Sequence, residues 1–199
     1  MEIIRIRNNG YVYCKSVFYS VLDNLNDKEY CFTVGTNELR GGIDSGIFAI
    51  SYLISMYDRV NKKKLFLPCE ANADGRIIPL RELAKRCCYM DFSNPLFSSK
   101  RKSVRRLIEI GLKKSKKEES FEEIKEMFRL DFQRVSRPVS ATGNERFRAM
   151  AAIGYSYGKE VFCFPWLSKK RLDYYGKNIS WLLEKIEDLK LCAIFPHEE

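Results

Sequence analysis

The 199-residue sequence holds a single histidine, His197, and no Cys-x-x-Cys pair. Multi-histidine chemistry and Cys/His zinc sites are thereby excluded, because such sites need several ligands at close spacing. No apolar run approaches the roughly 20 residues that cross a bilayer. The opening Met-Glu-Ile-Ile-Arg-Ile-Arg lacks the charged-then-apolar layout of a secretory signal. Internal repeats and low-complexity linkers are missing too. The seven cysteines (14, 31, 69, 87, 88, 163, 192) are odd in number and lie mostly inside apolar runs. They are expected to be buried thiols of a reducing cytoplasm.

What is present is an ordinary core-forming composition. With 45% hydrophobic and 13% aromatic residues, the chain is too apolar for disorder and fits one domain over 1–199. The formal charge is +9, and it is local: residues 100–117 carry nine basic side chains and only Glu109 as an acid. A function has to account for what that segment faces.

Residues 2–7 alternate apolar and charged, as an edge strand does. Segments 12–22 and 30–35 read as strands joined by a turn at 24–27. A glycine-rich loop over 35–46 leads into an apolar helix over 47–57, too uniformly hydrophobic for a surface. Segments 65–69 and 76–79 suggest a hairpin across Asp74-Gly75. A helix over 80–86 precedes a strand over 87–90. From 99 to 129 the chain is helical, with a break near Gly111. A helix at 145–157, a strand at 161–164, a helix at 179–189 and a strand at 191–195 complete an α/β alternation around a helical insert.

A glycine loop between strand and helix is a geometry that cradles phosphates, through loop N–H groups and the helix N-terminus. A P-loop adds a lysine for the phosphates and a hydroxyl for Mg²⁺. Here Gly41 and Gly46 keep the spacing, with Gly42, Asp44 and Ser45 in the loop, while Ile47 and Phe48 replace the lysine and the hydroxyl. By itself the loop also reads as a tight turn.

The remainder of the chain resembles ABC-transporter ATPases. Ala141, Thr142, Gly143, Asn144 and Glu145, followed by basic residues and an alanine-rich helix, occupy the slot of that family's signature motif. Residues 161–164 resemble its Walker B strand, with Pro165 at the place of the metal-binding aspartate and Trp166 at that of the catalytic glutamate. Asp91 falls in or near the Q-loop slot, Asp173 in the D-loop, and His197 at the switch histidine. Tyr11, Tyr13, Phe18 and Tyr19 include candidates for adenine stacking, and strand packing explains them equally well.

The resemblance implies an α/β fold: an ABC-type P-loop NTPase-like core sheet with flanking helices, an N-terminal antiparallel β portion, and a small helical subdomain at about 98–145. The chain stops two residues after His197, so the strand and helix that usually follow in the family are expected to be missing from that sheet edge.

ATP and Mg²⁺ are the family's ligands, but the substitutions remove the groups that would hold them, so no cofactor, metal or catalytic residue is expected. The resemblance then implies a non-hydrolysing, nucleotide-binding-domain-like subunit or accessory protein of an ABC transport system. It would form a homodimer, or a heterodimer with an active ABC ATPase subunit, or dock on a membrane permease. Such a protein is cytoplasmic or peripheral at the inner membrane face. Asn144 weakens the idea of lending a signature to an active partner, because its side chain crowds the approach to a γ-phosphate. Arg105, Arg106, Lys113 and Lys114 are the expected basic docking face, since the family's helical subdomain meets its membrane partner there. The alternative is a regulatory module that uses 100–117 on nucleic acid or anionic lipid. The absence of aromatics between Phe97 and Phe121 gives no sign of base stacking.

Overall fold

A computed structural model describes residues 3–8, 29–42, 47–56, 69–73 and 75–198. The expected strand over 12–22, its turn and the four aromatic candidates at 11, 13, 18 and 19 lie outside them.

Four strands make an antiparallel sheet in the order β2-β1-β4-β5: β1 is Ile3–Asn8, β2 Glu29–Thr33, β4 Cys69–Ala73 and β5 Arg76–Ile78. β1 is interior, paired with β2 on one side and β4 on the other, which corrects the edge-strand expectation. Alternation reports two unlike faces of a strand and says nothing about its in-plane neighbours. The hairpin forms with Ala73 opposite Arg76 and Gly75 at φ +78° in its turn. Its first strand lies later than the expected 65–69.

Four further strands make a wholly parallel sheet in the order β3-β8-β7-β6: β3 is Gly35–Arg40, β6 Cys87–Tyr89, β7 Val161–Cys163 and β8 Cys192–His197. β3 corrects the sequence reading, which placed a loop over 35–46. Its polar sequence carries no strand signal, and pairing with β8 from Gly35 opposite Cys192 to Arg40 opposite His197 imposes extended structure. The Asn37 side chain reinforces the junction by donating to the carbonyls of Thr33 and Ala193.

α1 (Ile47–Ser55) packs across β6, β7 and β8, and Ile50, Tyr52 and Ile54 are buried there as its apolar character requires. α2 (Leu80–Arg86) leads directly into β6. The insert contains α3 (Val104–Ser115), α4 (Phe121–Met127) and α5 (Phe132–Val135). α3 runs unbroken through Gly111, and the break falls at Lys116, whose φ is +56°. Gly111 is a packing glycine: a Cβ there would stand 2.5 Å from the Tyr157 ring.

α6 (Arg146–Ser156) lies on the other sheet face, so close that a Cβ on Gly154 would meet Cys88 Sγ at 2.8 Å. α7 (Lys169–Asp188) is ten residues longer at its N-terminal end than expected. Its first half is polar and mostly exposed, and only Ile179, Leu182 and Ile186 are buried. An apolar cluster joins the insert, α6, α7 and this sheet face through Phe128, Phe147, Phe162 and Phe164. No helix among the described residues is long and apolar enough to cross a membrane.

Candidate functional site

Chain order along the parallel sheet puts the site where it is. From β3 the chain skips two strand positions to β6, then returns through β7 to β8, which inserts beside β3. In open α/β sheets such a reversal opens a crevice at the carboxyl ends of the strands. Those ends carry Gly41 after β3, Pro165 and Trp166 after β7, and His197 on β8. Residues 124 to 156 positions apart in the chain thus meet at one edge.

They are tied together by hydrogen bonds. The Gly41 N–H donates to the His197 carbonyl at 3.0 Å, and Trp166 Nε1–H donates to the Gly41 carbonyl at 3.0 Å. Leu167 pairs with β8 beyond β7, its N–H donating to the Pro196 carbonyl. The His197 ring packs against Phe195, 5.1 Å between centroids. Its Nδ1 is 2.7 Å from the Glu198 carbonyl; a carbonyl only accepts, so Nδ1 carries the proton. Nε2 is buried without a hydrogen-bond partner and faces Glu38 Oε2 at 3.7 Å. The Arg40 guanidinium, 2.8 Å away, holds the Glu38 carboxyl below the usual carboxylate range, against a smaller opposing effect of burial, and His197 adds to the lowering. Glu38 belongs to this cluster and carried no signal in the sequence, because its strand did not read as one.

Of the glycine loop, Gly41 is buried and Gly42 exposed. Asp44, Ser45 and Gly46 lie outside the described residues. Ile47 and Phe48 open α1, and only their backbone is described.

The signature-like residues sit elsewhere, on α6 and α7. Two short 3-10 turns, Val139–Ala141 and Gly143–Glu145, precede α6. Thr142 is 2% exposed and its hydroxyl donates inward to the Val139 carbonyl at 2.7 Å. Gly143 has φ +62°. Arg134 Nη1 donates to Asn144 Oδ1 at 2.6 Å and to the Thr142 carbonyl at 3.2 Å. Glu145 lies between Arg148 at 3.1 Å and Arg134 at 3.5 Å. Burial pushes the Arg148 guanidinium below its ordinary range, and Glu145 offsets part of that. The two arginines that fix this turn were not singled out in the sequence, where they are two basic residues among many.

Asp91 follows β6 and accepts the Ser93 N–H at 2.9 Å, forming a local turn. Asp173 is exposed in the second turn of α7. Arg105, Arg106, Lys113 and Lys114 are all exposed along α3, which buries Val104, Leu107, Ile108 and Leu112 on its opposite side. Arg105 pairs with Glu109 at 3.0 Å and covers the Phe121 ring, and Lys114 lies 5.6 Å from the Tyr157 ring centroid. Among the described residues no group of three or more His, Cys, Asp or Glu is placed to hold a metal.

No model of a known protein family matches the sequence, and no curated protein matches it either. Solved structures do resemble it. A putative ABC transporter ATP-binding protein from Pyrococcus furiosus superposes with a TM-score of 0.66 at 15% identity, over 99% of this chain and 92% of that one. A dimeric bacterial ABC transporter cassette gives 0.65 at 16% identity, over 98% and 87%. The same cassette in a dimeric post-hydrolysis state, bound to ADP and Pi, gives 0.64 at 14%, over 98% and 88%. The chain therefore has the fold of an ABC transporter ATP-binding domain.

Proposed function

We propose that this chain is a degenerate, non-hydrolysing relative of the ABC ATP-binding domain, which acts by assembling with a partner and does not consume ATP. One observation carries the reading: at the carboxyl edge of the sheet, where the resemblance puts a catalytic glutamate, Trp166 spans to the glycine loop and bonds the Gly41 carbonyl. Phosphoryl transfer depends on positioned charge around a metal-bound triphosphate. Pro165 and Trp166 offer no carboxylate to Mg²⁺ or to an attacking water, Ile47 offers no cation, and Phe48 no hydroxyl. This donor set does not fit Mg-ATP. The signature-like turn supports the same reading, since the Thr142 hydroxyl and the Asn144 side chain are both engaged within the chain.

The function left is that of a surface. The similar cassettes are dimers, and the corresponding assembly here is a homodimer or a pair with an active ABC ATPase subunit. Arg105, Arg106, Lys113 and Lys114 form the face that docks on a permease at the cytoplasmic side of a membrane. Affinity purification of the tagged chain from its native cell tests this. Co-purification of a permease or an intact ATPase subunit, lost when the four residues become Gln, is the expected result. Recovery of RNA or DNA that dissociates steeply with salt would contradict it and favour the nucleic-acid alternative.

A further inference from the structure

Beside the edge strand β6, toward the amino ends of the parallel strands and away from the glycine loop, lies a cavity of about 330 Å³. Among the described residues its walls come from the end of α1, the last turns of α2, the segment after β6, and the residues that follow α6. The body of the cavity is apolar, with Met56, Ala84 and Leu96 among its lining residues. Asn94 is fixed in the wall, donating to the Tyr89 carbonyl and accepting the Leu96 N–H.

The charged side chains among its described lining residues are both cations. Lys85 and Lys159 line it side by side, just before the paired strands β6 and β7, the Lys159 ammonium donating to the Lys85 carbonyl. No carboxylate among the described residues pairs with either lysine. The nearby Glu160 is committed to Arg86 at 2.6 Å. Ligand cavities in proteins are typically of this size, apolar in the body, with a few convergent polar groups that fix orientation.

We propose that this cavity binds a small soluble amphiphilic anion, with a carboxylate or phosphate group between Lys85 and Lys159 and a short aliphatic or aromatic body against Met56 and Leu96. The site is independent of the reading given under the proposed function, since it shares no residue with the glycine loop, Trp166 or His197.

Titration calorimetry of the full chain with sodium octanoate tests it, with octan-1-ol as the neutral counterpart. Saturable octanoate binding is expected, at least ten-fold tighter than that of octan-1-ol. The double substitution Lys85→Gln/Lys159→Gln is expected to weaken octanoate at least ten-fold while leaving octan-1-ol unchanged. Ala84→Leu fills the cavity but keeps both ammonium groups, and is expected to abolish binding of either molecule. Circular dichroism confirms that the variants fold. No saturable octanoate binding in the folded parent chain, equal affinity for octan-1-ol, or undiminished octanoate binding in either folded variant would overturn the proposal.

Discussion

Two glycines in helices, Gly111 in α3 and Gly176 in α7, should respond oppositely to the same substitution. An added methyl gains helix propensity at either position, about 1 kcal/mol for Gly→Ala in a helix interior. At Gly176 no heavy atom lies within 4 Å of the new Cβ, so Gly176→Ala should stabilise by nearly that amount. At Gly111 the Cβ would meet Tyr157 Cδ2 at 2.5 Å and the Ser156 carbonyl carbon at 2.9 Å. Carbon atoms in good contact sit about 3.5–4.0 Å apart, so the ring and the α6 backbone would both have to retreat by about 1 Å. The Ser115 hydroxyl, which donates to the Ser156 carbonyl at 2.7 Å, resists that retreat. Overpacking of this kind costs about 1–3 kcal/mol. Because the propensity gain is common to both variants, the difference between them isolates the α3–α6 crossing at about 1–3 kcal/mol. Urea unfolding reads it directly: at a slope of about 2 kcal/mol per molar, the two midpoints should separate by about 0.5–1.5 M, with Gly111→Ala the lower. Equal midpoint shifts for the two variants would refute the close packing of the insert on α6, and with it the explanation of why a glycine interrupts nothing there.

Thiol accessibility gives a second check. Burial pushes Cys88 and Cys192 up to about 12 and Cys163 well above its ordinary value, so of Cys31, Cys87, Cys88, Cys163 and Cys192 only the exposed Cys31 should react with a thiol reagent at pH 8, as read by peptide mass mapping. A third concerns Tyr155, whose hydroxyl donates to Glu119 at 2.7 Å. Burial first and this bond second push its pKa up to about 12, from an ordinary value near 10. The folded state therefore holds that proton more tightly, and the associated stability is complete below about pH 10 and lost as pH rises through about 12. The stability advantage of the parent chain over Tyr155→Phe should shrink across that window in urea titrations at successive pH. The same bond holds the Glu119 carboxyl low, so stability is also lost in acid as pH falls below the ordinary carboxylate range. Fourth, changing Arg105, Arg106, Lys113 and Lys114 together to Gln should remove partner association while costing less than about 1 kcal/mol, because exposed ion pairs contribute little. Thermal unfolding and co-purification read the two effects separately.

The elements legible in the sequence are those whose burial pattern is continuous. α2 and β6 adjoin at 86 and 87 as expected, and the apolar run at 161–164 is the buried strand β7 with Phe164 beyond it. β3 was illegible because its residues are polar and its extended form is imposed by β8, more than 150 residues away in sequence. The first half of α7 was illegible for a related reason: residues 169–178 contain Gly176 and Asn178 and bury little, so no helical periodicity marks them. For the site, the family resemblance singled out Pro165, Trp166 and His197, and the parallel sheet brings all three to its carboxyl edge. The contact that gives them meaning, indole to Gly41 carbonyl, joins positions 125 apart, and nothing local announces it. Glu38 and Arg134 were missed on the same ground, since each acts through a partner brought near only by the fold.

The central claim is that the glycine-loop edge no longer serves Mg-ATP. Calorimetric titration of the purified chain with Mg-ATP, run beside a phosphate-release assay, tests it most directly. The expected result is no saturable magnesium-dependent heat up to millimolar nucleotide and no phosphate release above the protein-free rate. Micromolar Mg-ATP affinity, or turnover that disappears when Trp166 is changed to Ala, would contradict it.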